Sequence, residues 1–308
     1  MTDSRIDGFS VMLNCLLIVM AALFVFEIEP FGKVEAGTLS ATTELSREKT
    51  SLSCDAAAPL PSSITDYVTF ADTCLFRSDS GFTTLDGDVL MMFQRLNDLR
   101  TEQGLSKLKW HTGAAEAARL HAVDMLNRKY FAHKSPEGLG HADRMRRIDR
   151  DGVFGASGEN LAYYGAGWPD DYSSLRLQTQ LEDSPPHYRV MLTPDYTHVG
   201  AAVVKKDNVY MAVQVFISTY GDLSHDWPER VSPNDEFLLP ENIGGHTIGG
   251  WRLMTPDNKE IARADNRKVT IPSTEADQVE LVVLAAESNA YFIRMNAPVS
   301  DLDKTEPN

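Results

Sequence analysis

Residues 199–218 read VGAAVVKKDNVYMAVQVFIS. Two β-type runs, Val199 to Lys205 and Val209 to Ser218, flank Asp207-Asn208, a pair suited to a tight hairpin turn. The second run is apolar at almost every position. A strand with one face in water alternates apolar and polar residues, so a continuous apolar run predicts a strand covered on both faces. The fold class that follows is α+β, with a sheet held between helical layers.

The covering helices are sought upstream. From Asp86 to Glu102, Val89, Phe93, Leu96 and Leu99 recur at spacings of four and three, and Gly104 follows as a stop signal. Thr112 is read as the N-cap of a second helix that carries Ala114, Ala117, His121 and Met125 on one face. On that apolar stripe His121 reads as a satisfied core histidine. Ala142 to Asp149 reads as a short basic helix. Leu175 to Asp183 reads as another helix, stopped by Pro185-Pro186.

Between these elements lie the chemistry-bearing residues. Ser135-Pro136-Glu137-Gly138 suits a type I turn, and His133 stands just before it. Ser157 to Ala162 presents the carboxylate of Glu159 between Gly158 and the amide of Asn160. His187 follows the proline pair.

Outside this body the texture changes. Phe9 to Phe26 (FSVMLNCLLIVMAALFVF) carries no charge and approaches the length that spans a bilayer. Residues 1–35 are therefore read as a signal anchor or a signal peptide. The leading MTDSRID, with one Arg between two Asp, favours the anchor. The protein is then exported and faces outward on the membrane, or is secreted if residues 1–36 are cleaved. Residues 36–85, rich in Ser, Thr, Ala, Glu and Pro at their start, read as a flexible linker. On an exported chain Cys54 and Cys74 are the natural disulfide pair. The three cysteines form no Cys-x-x-Cys motif, which argues against zinc ribbons and iron–sulfur sites. After 86–222 come short β-type runs separated by turn residues such as Pro256-Asp257-Asn258. Residues 223–308 are read as a small β-rich module whose last ten residues are an acidic tail. Forty-four acidic against 29 basic side chains give a net charge of -15. A field of that sign repels phosphate backbones, which excludes sequence-independent nucleic-acid binding.

Several short motifs occur in one order: Leu96-Asn97-Asp98-Leu99-Arg100, Leu108-Lys109-Trp110, Ala117 to Met125, Phe131-Ala132-His133-Lys134-Ser135-Pro136-Glu137-Gly138, Gly158-Glu159-Asn160-Leu161-Ala162, Ser184-Pro185-Pro186-His187, and Tyr196-Thr197-His198-Val199-Gly200. Together, over Val89 to Ser218, they resemble the CAP superfamily of cysteine-rich secretory, antigen and pathogenesis-related proteins, in its bacterial branch. The resemblance implies a three-layer α-β-α sandwich, export, and a cleft lined by two His and two acidic residues that holds a divalent metal in some members. Carried over by motif, the cleft residues are His133 and Glu159, with His187 in the bacterial histidine position. The acidic position of eukaryotic members falls on Ser184, with Glu182 two residues earlier. Their second histidine falls on Asp195, with His198 three residues on.

Two imidazoles and a carboxylate supply three protein ligands to zinc, so His133, His187 and Glu159 form the candidate set, with Glu182, Asp195 and His198 as additions. The expected ligand class stays open among small molecule, lipid, glycan and peptide. A hydrolase is the first alternative, with a histidine as base and Glu159 orienting it. Ser135 and Ser184 lack a nucleophile-elbow context. A purely structural or adhesive envelope protein is the second alternative.

Overall fold

The run 209–218 lies within the central strand Val209–Asp222, and its side chains sort alternately into two cores. The structure is a computed structural model that describes residues 59–75, 81–165, 172–288 and 291–303. The chain divides into Met1–Lys49 and Thr50–Asn308. The first unit lies outside the described residues, and with it the apolar run Phe9 to Phe26. Cys54 lies outside them as well. Among the described residues, no helix is long and apolar enough to cross a membrane.

The helices are α1 (Ile64–Phe70, followed by a π-helical turn Ala71–Leu75), α2 (Asp86–Glu102), α3 (Thr112–Arg128), α4 (His141–Ile148), α5 (Ser174–Glu182) and α6 (Pro185–Met191). The first strands are β1 (Thr83–Thr84), β2 (Lys109–Trp110), β3 (Gly152–Tyr164), β4 (His198–Lys206) and β5 (Val209–Asp222). Then follow β6 (Arg230–Val231), β7 (Glu236–Leu238), β8 (Asn242–Ile243), β9 (His246–Met254), β10 (Glu260–Ala264), β11 (Lys268–Thr270), β12 (Gln278–Ser288) and β13 (Tyr291–Leu302). The main sheet runs β1-β4-β5-β3-β13-β12-β9-β10.

Met211, Val213, Val215 and Ile217 face α1, α3 and α4 through Tyr67, Phe70, Ala117, Leu120 and Met145. Ala212 and Phe216 face α2, α5 and α6 through Met92, Leu96, Leu99, Leu177, Leu181 and Met191. The polar residue of the run, Gln214, is buried but bonded: it donates to Gln178 Oε1 at 3.0 Å and accepts from Asn160 Nδ2 at 3.4 Å. A buried amide with partners costs little, so the strand keeps its two covered faces. At Gly200 of β4 an added Cβ would stand 2.0 Å from the backbone nitrogen of Ala115, so the glycine lets α3 lie directly on the sheet.

Four expectations need correction. His111, not Thr112, caps α3: its Nδ1 accepts from the Ala114 N–H at 3.1 Å. Pro185 does not merely end a helix but starts α6, because proline suits the first helical position, where no N–H is needed. The stretch 59–75 is not linker. Leu60, Ile64, Tyr67 and Phe70 are buried, and tertiary packing stabilises a helix too short to stand alone. Residues 299–302 are not a tail but the buried end of β13, where Asp301 Oδ2 accepts from the Ile64 N–H and the Ser63 hydroxyl, both at 2.8 Å.

The C-terminal strands have their own core around Trp227, Trp251, Leu253, Leu281 and Met295. They are nevertheless continuous with the first half. β13 joins β3 at Asn296 opposite Phe154. The basic helix α4 works as a bolt between the halves. Arg146 donates to Ala297 O at 2.7 Å and Leu281 O at 3.1 Å, and pairs with Glu280 at 2.5 Å. Just past its end, Arg150 donates to Trp227 O and Pro228 O, both at 2.9 Å.

Candidate ligand cleft

Glu159 does not sit in a loop. It lies in mid-β3, opposite Val215, on the face that meets α3 and α4. Register shifts between Phe154 and Ser157 mark a bulge just before it. The carboxylate is 0% exposed. Its Oε2 accepts from Arg144 Nη2 at 2.6 Å, and its Oε1 accepts from His133 Nδ1 at 2.9 Å. Burial pushes the Glu159 pKa up, but the His133 hydrogen bond and the Arg144 charge outweigh it and hold the group below the ordinary carboxylate range. An ionised carboxylate only accepts, so His133 carries its proton on Nδ1 and leaves Nε2 as the free face. The His133 side chain is 56% exposed. The result is an exposed imidazole fixed on a buried ion pair.

The surrounding loop is rigid for visible reasons. Gly138 N–H donates to Ser135 O at 2.8 Å, closing the expected turn, and Leu139 N–H donates to Ser135 Oγ at 3.3 Å. Arg144 also donates to Leu139 O at 2.7 Å and His133 O at 3.3 Å. His121 is a satisfied core histidine: fully buried, it donates from Nε2 to Ala132 O at 2.9 Å. Burial, helped by the Arg144 charge, pushes its pKa down to about 3, so it stays neutral. Asp124 accepts from both Arg128 and Tyr130, and Arg128 also pairs with Glu137. On the α2 side, fully buried Arg100 donates to Met191 O at 2.7 Å and Thr193 O at 3.0 Å, which anchors the end of α6.

His187 comes from α6, and its O accepts from Asn160 Nδ2 at 3.2 Å. Burial first, and its neighbour His133 second, push its pKa down. Of the three additional candidates, Glu182 and His198 turn to other partners. Glu182 spans to α2, where Arg95 clasps it through Nε at 3.1 Å and Nη2 at 2.9 Å. His198 packs edge-on against His111, with ring centroids 5.9 Å apart, in a pocket shared with Asp149 and Asp222. The backbone carbonyl of Asp195 accepts from the Ser218 hydroxyl at 2.8 Å.

A zinc centre on His133, Glu159 and His187 would have to displace a partner that Glu159 already has. Its Oε1 is taken by His133 and its Oε2 by Arg144, and freeing Oε2 would strand the buried Arg144 charge. Among the described residues no group of three or more His, Cys, Asp or Glu side chains is placed to hold a metal. The expected outcome of zinc titration by calorimetry is no saturable binding below micromolar concentration. Tight binding that disappears in His133→Ala would overturn this.

Sequence reasoning missed Arg144 and His141. His141 Nε2 lies 3.1 Å from Ser157 Oγ, and burial lowers its pKa. In the sequence Arg144 is one of three arginines in a basic helix, and no local spacing distinguishes it from Arg146 or Arg147.

The family described as CAP, the Cysteine-rich secretory protein family, matches residues 93–218. The chain is 34% identical over 110 residues to "Uncharacterized membrane protein YlbC" of Bacillus subtilis (strain 168), covering 36% of this chain and 30% of that protein. It is 27% identical over 114 residues to "Uncharacterized protein YkwD" of the same strain, covering 37% of this chain and 41% of that one. The match therefore spans well under half the length of either curated relative. Among solved structures it is similar to an extracellular protein containing a SCP domain from Bacillus anthracis str. Ames, with 27% identity and a TM-score of 0.36. That likeness covers 43% of this chain and 40% of the other.

Proposed function

We propose that this chain, whose residues 93–218 belong to the CAP family of cysteine-rich secretory proteins, is an exported binding protein that offers the cleft around His133 to a ligand outside the cell. The observation that carries the reading is the fixed, exposed imidazole of His133 on the buried Glu159–Arg144 pair. Preorganisation of that kind lowers the entropy lost on binding. Export is supported by the apolar run Phe9 to Phe26 and by the name of a relative called a membrane protein. The proposal includes an α-β-α sandwich over 86–222, supported by the helices packed on both faces of β5.

The hydrolase reading has one supporting feature, the His133–Glu159 hydrogen bond, which is how a base is oriented. The serines do not supply its nucleophile. Ser135 is buried and bonded within its turn, and Ser184 stands at the N-cap of α6. Binding therefore takes precedence over catalysis.

Native mass spectrometry of the full chain, extracted gently from the membranes of its host, tests the proposal. The expected result is a ligand adduct on the wild type that is lost in His133→Ala. An equal adduct on both proteins would move binding elsewhere, and bare protein in both would favour an adhesive or structural role.

A further inference from the structure

Three independent features meet beside His187. First, β3 is paired with β5 on both sides of its bulge, but among the described residues β13 pairs with its other edge only at Phe154, where Asn296 also donates to Gly155 O at 3.3 Å. Among the described residues no strand covers that edge from Ser157 to Tyr164. Second, an apolar slot of about 360 Å³ opens along this stretch. Its walls are Leu161 and Tyr163 from β3, Leu181 from α5 and Phe131 from the loop before His133. Phe131, at 52% exposed, is one of the few large apolar side chains left in solvent. Third, two polar atoms belonging to residues that line this slot are buried without a partner: Gln180 Nε2 and His187 Nδ1. Stranding buried polar atoms costs free energy, and native folds satisfy the great majority of them.

We propose that this slot takes an apolar side chain of an extended peptide laid along the free edge of β3. The peptide's carbonyl accepts from Gln180 Nε2, and its N–H donates to His187 Nδ1. The chemistry selects this class. A bare alkyl chain would fill the apolar walls but leave both polar atoms stranded. A peptide unit carries one donor and one acceptor, and strand addition to a sheet edge is a general route to peptide recognition. His187 is available as an acceptor because burial keeps its imidazole neutral. A second apolar pocket of about 430 Å³, with Met125 and Met211 among its lining residues, shares Phe131 and Tyr163 as a wall. Side chains two residues apart on an extended chain project to the same side, so a peptide with leucines at alternate positions tests both pockets.

The inference rests on the cleft being a binding site but is tested apart from His133. The probe is acetyl-Ala-Leu-Ala-Leu-Ala-amide, titrated into the full chain and followed through the amide resonances of residues 157–164. The all-alanine peptide is expected to bind at least tenfold more weakly, because it leaves the slot without a buried leucine side chain. A peptide N-methylated at alternate bonds should shift none of these resonances. Gln180→Leu should weaken the leucine peptide at least tenfold while its Tm stays level or rises, since the substitution removes a stranded donor. Equal binding of the N-methylated peptide, unchanged affinity in Gln180→Leu, or octanoate binding as tightly as the peptide would each overturn the assignment. A His133-dependent adduct without peptide binding would leave the cleft standing and remove only the peptide.

Discussion

Replacing Arg144 with methionine is expected to destabilise the protein by about 3–5 kcal/mol at neutral pH, the usual cost of removing one partner from a buried ion pair. Both Arg144 and Glu159 are fully buried, so solvent screening does not reduce the figure. The pH dependence should also change sign. In the wild type Glu159 titrates below its unfolded value, about 4.3 for a free glutamate. Its stabilising contribution is therefore fully present above that value and fades as pH falls through the folded pKa. Without Arg144, burial is opposed mainly by the His133 hydrogen bond, and the Glu159 pKa is expected to rise above the unfolded value. The carboxylate then carries a penalty that grows as pH rises past about 4.3. Urea denaturation between pH 4 and 7 should show the wild type level or gaining stability and the variant losing it. Parallel curves for the two proteins would mean that Arg144 is not the partner that keeps Glu159 ionised.

Ending the chain at Asp222 is expected to abolish cooperative folding of what remains. Arg146 would lose all three acceptors described above, and Arg150 would lose Trp227 O and Pro228 O. The first turn of α1 would lose Asp301. Buried donors left without partners cost about 1–3 kcal/mol each, more when charged, and together these losses rival the 5–15 kcal/mol that stabilises a typical domain. Val153 would also lose the C-terminal core into which it packs. Circular dichroism melts of residues 59–222 and 59–303 compare the two. A sharp transition for the shorter chain, within a few degrees of the longer, would show that the C-terminal strands are a detachable module after all.

What was legible in the sequence was what local period encodes. The apolar run 209–218 announced a strand with two covered faces, and the spacing of Val89, Phe93, Leu96 and Leu99 fixed α2 to its observed ends. The motif around His133 and the one around Glu159 placed both partners of the 2.9 Å hydrogen bond although 26 positions separate them. Tertiary relations were not legible. Arg144 is written like its neighbours Arg146 and Arg147, yet one closes the cleft while Arg146 bolts on the C-terminal strands. The brevity of α1 hid it, because its stability comes from Tyr67 and Phe70 packing on distant residues. Glu182 and His198 lay near cleft motifs in the chain, but their side chains turn towards Arg95 and His111.

The central claim is that Glu159 fixes His133 with one nitrogen bonded and the other offered outward. Long-range ¹H–¹⁵N correlation of the His133 ring at neutral pH tests it most directly. The account predicts a proton on Nδ1 throughout, and in the Glu159→Gln protein a loss of that single form to a mixture of tautomers. A wild-type ring protonated at Nε2 with a bare Nδ1, or a ring unaffected by Glu159→Gln, would contradict it.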